Sequence, residues 1–181
     1  MVSLFNTYLI RASGLISIDM TSELHQDGDL WFIRAQIDIP RAWDIMWRNP
    51  GRDYSDVTKT RNAHQWRPAL LHGADHAVNL KVKQLIRDHK INCHITELGQ
   101  YHCIDYPAGG YQLRHAHNTF SITTVLYFDD DPALITLELG DEKWSYPSQR
   151  GQLLIMDGRV FHEAAAVEKR KRVLVLDWGF R

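Results

Sequence analysis

His115 and His117 stand either side of one alanine in YPAGGYQLRHAHN, residues 106–118. On a strand, side chains two apart project to the same face, so both imidazoles can meet one ion. A third histidine, His162, follows the strand-like GQLLIM and an Asp-Gly turn. In a rolled β barrel, strands distant in sequence become neighbours across the mouth. A metal held there by three imidazoles keeps open positions on its other side, an arrangement suited to oxygen and substrate. Ten residues beyond His162, Arg172 opens the last apolar segment. A planar guanidinium at that place is suited to holding a carboxylate through two parallel hydrogen bonds.

These residues need elements to position them. TYLIRASGLISIDM and LWFIRAQIDIP read as strands joined by the polar turn HQDGD, the second ended by Pro40. AWDIMW suggests a short helix before a long loop. PALLHGADHAVNLKVKQLIRDHK places Ala77, Leu80, Val82, Leu85 and Ile86 at amphipathic-helix spacing. From residue 91 onward the segments are short, β-branched and aromatic, and punctuated by Gly, Pro and Asp, so at least five strands are expected there. ALITLEL alternates, with Ile135, Leu137 and Leu139 on one face, and VLVLDW is apolar on both sides, hence central or covered. The expected fold is α+β: a compact antiparallel β barrel buttressed by an N-terminal part with helices. One domain over 1–181 is expected, with strands and supporting helices in 1–95 and the barrel in 96–181.

Bulk properties narrow the setting. The chain carries 21 basic and 22 acidic residues for a net charge of −1, which gives no electrostatic reason to expect nucleic acid or an anionic membrane as partner. No apolar run is long enough to span a bilayer. The mildly apolar opening is interrupted by Arg11 and reads as part of the fold. Cys93 and Cys103 make no disulfide framework and read as reduced thiols, so a cytoplasmic location is expected.

From Tyr101 to Arg181 the chain resembles the catalytic core of the Fe(II)/2-oxoglutarate-dependent dioxygenases, particularly their prolyl-hydroxylase-like branch. The residues that carry the resemblance are Tyr106-Pro107, Gly109-Gly110-Tyr111 and His115, then TTVLYFDDD with Tyr127, then GQLLIMDGRVFH with His162, then Arg172 before RVLVLDW ends. The resemblance implies a double-stranded β-helix (a jelly-roll, cupin-like barrel). His115 and His162 would ligate Fe(II). Arg172 would anchor the distal carboxylate of the co-substrate 2-oxoglutarate, Tyr127 would donate a hydrogen bond to it, and Tyr106 would line its pocket. The implied reaction couples decarboxylation of 2-oxoglutarate to oxidation of a C–H bond by O2, with an amino acid or peptidyl residue as substrate class.

The family has Asp where this chain has His117. Trading a carboxylate for a neutral imidazole raises the site's charge by one and disfavours higher oxidation states. Three readings stay open: His117 ligates, it swings away and leaves two histidines, or the site has kept binding without oxygen activation. Two other functions compete. A cupin-like three-histidine metalloprotein would not use 2-oxoglutarate; Gly109 to His117 fits that motif's opening, but Ser121 and Ile122 stand where its glutamate belongs. A degenerate barrel would only bind ligand. Elsewhere, His72 and His76 read as surface or capping residues, His94 and His102 as strand residues near the barrel entrance, and Asp129–Asp131 as a solvated acidic run.

Overall fold

The computed structural model describes residues 22–48, 50–53 and 58–180. The strand expected within 7–20 lies outside the described residues. Strands β1 (Ser22–Asp27) and β2 (Leu30–Gln36) form a hairpin, followed by a 3-10 helix, Arg41–Trp47. Short strands β3 (Thr60–Arg61) and β4 (His64–Trp66) precede helix α1 (Ala74–Asp88). Eight strands then follow: β5 (Leu98–Tyr106), β6 (Tyr111–His115), β7 (Phe120–Tyr127), β8 (Asp131–Leu139), β9 (Glu142–Ser148), β10 (Gln152–Asp157), β11 (Phe161–Ala164) and β12 (Lys171–Phe180).

They pair antiparallel in two sheets, in the orders β1-β2-β10-β7-β12-β5-β4 and β3-β6-β11-β8-β9. Alternation along the strands sorts side chains into two cores. From the larger sheet, Trp31, Ile33, Leu153, Ile155, Leu174 and Leu176 face outward and meet Trp43, Trp47, Val78, Val82 and Leu85 of the two helices. The intervening residues Phe32, Leu154, Met156, Val173 and Val175 point inward and meet Ile135, Leu137 and Leu139 of the smaller sheet. The central strands are therefore buried on both faces, which is why VLVLDW does not alternate in polarity.

Helix α1 lies where its periodicity placed it, but turned. Ala74, Val78, Val82, Leu85 and Ile86 are buried, whereas Leu80 is 56% exposed and Ala77 is exposed. The helix begins after Gly73 in the left-handed conformation, with no side-chain cap. The chain reaches it through His72, so HGADH is a helix entrance with His72 and His76 both exposed. No helix among the described residues is long and apolar enough to cross a membrane.

Candidate metal centre

His115 ends β6 and is the direct cross-strand partner of His162 on β11. His117 lies just past the strand, in the turn that leads to β7. Backbone bonds hold that turn: the His117 N–H donates to the Gly158 carbonyl at 2.7 Å, and the Gly158 N–H donates to Ser121 at 3.1 Å. A Cβ at position 158 would stand 2.8 Å from the His117 carbonyl oxygen. The Asp-Gly turn after β10 therefore needs glycine to press against the residues that aim His117.

The three imidazoles converge. Their candidate ligand atoms all lie within 4.8 Å of one another, and Nε2 of His115 is 3.1 Å from Nε2 of His117. Ring centroids of His162 stand 4.3 Å from His115 and 5.3 Å from His117. Each Nδ1 faces an acceptor: the Leu113 carbonyl at 2.9 Å for His115, the Val160 carbonyl at 3.2 Å for His162, and Oδ1 of Asp177 at 2.9 Å for His117. A neutral imidazole that donates through Nδ1 carries its lone pair on Nε2. Two such lone pairs 3.1 Å apart repel unless a cation or proton lies between them. Ligands ~2.1 Å from one ion and about 90° apart would stand roughly 3 Å from each other, so the His115–His117 spacing fits a shared metal.

Burial keeps two of the rings, His162 and His115, neutral. His162 is fully enclosed and held well below the usual histidine range, by burial first and then by the neighbouring histidines. Burial and His117 bring His115 down to about 4. Neutral imidazole is the ligand form, so His115 and His162 are in that form at neutral pH. Gln112 bridges the His115 ring to the Tyr106 hydroxyl, its amide donating to Nε2 and accepting from the phenol, each at 3.2 Å.

Behind the triad runs a narrow cavity of about 20 Å³, room for one water, lined by His102, Tyr106, His117, Tyr127, His162 and Lys171 among others. Lys171 is the unexpected member. It is 1% exposed, and its ammonium has no hydrogen-bond partner among the described residues. It lies 5.6 Å from the Tyr106 ring centre and 5.8 Å from that of Tyr127. Burial pulls it down to about 8, against the opposing pull of Asp131. A buried cation with nothing to donate to is costly unless an anion joins it.

Arg172 is not in this cavity, contrary to the expectation from its spacing. It lies on the opposite face of β12, donating through Nε and Nη2 to Asp129 at 2.8 Å each and through Nη1 to Asp44 at 3.3 Å, with its guanidinium over Trp47. The reason is parity. Residues 171, 173 and 175 share the inward face and 172, 174 and 176 the outward one, and a one-residue offset exchanges the two. The acidic run is likewise not simply solvated: Asp129 receives Arg172, and Asp131 is buried and accepts the backbone N–H groups of Ala133 and Lys169.

Tyr106, Tyr127 and the three histidines are thus brought to one place with His102, which was expected on a strand near the barrel entrance, and Lys171, Gln112 and Asp177 are the neighbours that sequence reasoning missed. His102 is buried there on β5 and lowered to about 4, chiefly by burial, whereas His94 lies exposed in the loop before that strand. Two signals were available: Lys171 shares parity with Val173 and Val175, and Asp177 interrupts a run that is otherwise apolar.

No family model and no curated protein matches the chain. Solved structures do. A prolyl-4-hydroxylase from Pseudomonas putida is 17% identical with a TM-score of 0.51, over 66% of this chain and 70% of that one. The prolyl hydroxylase of Trichoplax adhaerens, solved with a hypoxia inducible factor peptide fragment, is 15% identical with a TM-score of 0.55, over 68% and 65%. A 2OG-Fe(II) oxygenase family oxidoreductase from Burkholderia pseudomallei is 10% identical with a TM-score of 0.51, over 88% and 73%. At these identities the likeness is one of fold. The chain has the two-sheet, double-stranded β-helix fold of the Fe(II)/2-oxoglutarate oxygenases, with a His-His-His facial triad and no aspartate among the three.

Proposed function

We propose that this chain is a non-haem Fe(II)- and 2-oxoglutarate-dependent oxygenase. In this reading His115, His117 and His162 hold the iron, and Lys171 takes the distal carboxylate of 2-oxoglutarate in the place expected for Arg172. Tyr106 and Tyr127 flank that carboxylate. The observation that carries the reading is the pairing of two groups beside one cavity: three imidazoles whose candidate ligand atoms lie within 4.8 Å of one another, and an ammonium without an acceptor among the described residues. A metal completes the first and a dicarboxylate the second. Bound iron would supply O2 activation at the expense of 2-oxoglutarate. The chain's own residues would bind, orient and keep water out, with the buried aliphatic lining of Val125, Ile135, Val173 and Val175 doing the last. For the primary substrate we infer an amino acid or peptidyl residue, supported by the likeness to two prolyl hydroxylases. A cytoplasmic setting is supported by Cys103, a buried thiol.

A second reading, a three-histidine metalloprotein that does not use 2-oxoglutarate, is favoured by the tightness of the cavity. Its ~20 Å³ holds about one water, so a dicarboxylate enters only if the lining side chains move. Anaerobic titration with Fe(II) and then 2-oxoglutarate separates the two. The oxygenase reading expects the weak visible charge-transfer band of the chelate, its loss in Lys171→Met, and succinate release under air. Iron binding without that band supports the second reading, and no tight iron binding leaves only a ligand-binding barrel.

A further inference from the structure

We infer that Asp177 is the carboxylate missing from the ligand set, placed one imidazole further out, so that His117 acts as a ligand with anionic character. The inference rests on the metal-centre reading above and deepens it. Asp177 shares the inward parity of β12 and is wholly buried. Its cross-strand partners are Gln100 on β5 and Thr123 on β7, and both donate to it at 2.7 Å. The third donor is Nδ1 of His117, at 2.9 Å. Held from three sides, the carboxylate cannot swing in to ligate directly.

Among the three histidines only His117 backs onto a charge. Nδ1 of His115 and of His162 each meet a neutral backbone carbonyl. A carboxylate accepting from the remote nitrogen of a ligating imidazole raises the basicity of that ligand and fixes its tautomer and angle. A His-x-Asp site carries its negative charge directly on the metal; here the same unit of charge reaches it through the ring of His117. Among the described residues no lysine or arginine forms an ion pair with Asp177, and its salt-bridge contact is His117. This makes Asp177 a positioning residue, acting through His117 and not on substrate.

The test is metal affinity, measured by chelator competition with Co(II) and with anaerobic Fe(II). Asp177→Asn in the native background should weaken binding about 10–100-fold. In a His117→Asp background, which returns the carboxylate to the ligand set, Asp177→Asn should cause no loss, because the hydrogen bond to the ligand is gone and the buried charge of Asp177 repels the new carboxylate beside it. An equal loss in both backgrounds, or unchanged affinity in the first, overturns the inference and leaves Asp177 a structural residue. Should Asp177→Asn not fold, 15N and 1H NMR of the Zn(II)-loaded native chain decides. A His117 ring protonated on Nδ1, with that proton further downfield than those of His115 and His162, supports the inference; a ring protonated on Nε2 overturns it. Failure of the native chain to bind any of these metals would instead sink the metal-centre reading itself.

Discussion

Lys171 and Arg172 are adjacent in sequence and occupy opposite faces of one strand, the first buried and unpaired in the cavity, the second bound to Asp129 and Asp44 on the helix side. One side chain is left incomplete and the other is already satisfied. That difference assigns their work: Arg172 ties β12 to the 3-10 helix and the β7–β8 turn, while Lys171 is free to take a ligand.

Substitutions at the two positions should therefore diverge. Lys171→Met keeps the volume and removes a desolvated charge, so the ligand-free chain should gain about 1–3 kcal/mol while 2-oxoglutarate binding is lost. Arg172→Met strands two carboxylates and should cost ~1–3 kcal/mol while 2-oxoglutarate binding is retained. Urea denaturation and ligand titration of the same preparations check both halves.

Under the proposed function, the pH dependence of 2-oxoglutarate binding should follow from Lys171. Its folded-state pKa lies near 8, below the ordinary lysine value. A dicarboxylate binds the protonated form, so affinity should be flat below pH 8 and fall by about tenfold per unit above it. The sign for folding is opposite: between about pH 8 and the ordinary lysine value the unfolded chain binds the extra proton, so Lys171 makes the ligand-free protein more stable as pH rises. Calorimetric titrations at pH 7, 8 and 9 test the first, and urea midpoints over the same range test the second.

Removing a ligand should show which histidines carry the metal. His162→Ala removes the most buried of the three and is expected to abolish tight binding. His72→Ala and His76→Ala, at the exposed entrance of α1, should leave the metal Kd unchanged. Competition with a chromogenic chelator reads all three variants on one scale.

The turned face of α1 has its own consequence. Leu85→Ala empties a fully buried position and should cost ~2–5 kcal/mol. Leu80→Ala, more than half exposed, should stay within about 0.5 kcal/mol of the native chain. Chemical denaturation of both variants would expose an error in the helix orientation at once.

Much of this was legible because it is local. Alternation in ALITLEL buried Ile135, Leu137 and Leu139 as the pattern required. The Asp-Gly turn after GQLLIM and a helix within PALLHGADHAVNLKVKQLIRDHK follow from short-range spacing, whereas the pairing of His115 with His162 was expected from the barrel that the family resemblance implies. Sequence alone also presented His117 without choosing among ligation, displacement and loss of function. Its position just past the end of β6, where strand geometry no longer applies, is set by the backbone of Gly158, far along the chain.

What only the tertiary structure decided is parity and partnership. Whether residue 171 or 172 enters the barrel depends on the length and shape of the loop from β11 to β12, and a shift of one residue reverses every side chain on the strand. Which face of α1 is buried depends on the sheet beneath it, since Leu80 and Val78 are equally apolar. And the meeting of Asp177 with His117, Thr123 and Gln100 joins three strands and a turn far apart in the chain. Composition and periodicity carry the chemistry of each residue and the form of each segment; the long-range packing that sets register and neighbours is decided only when the barrel closes.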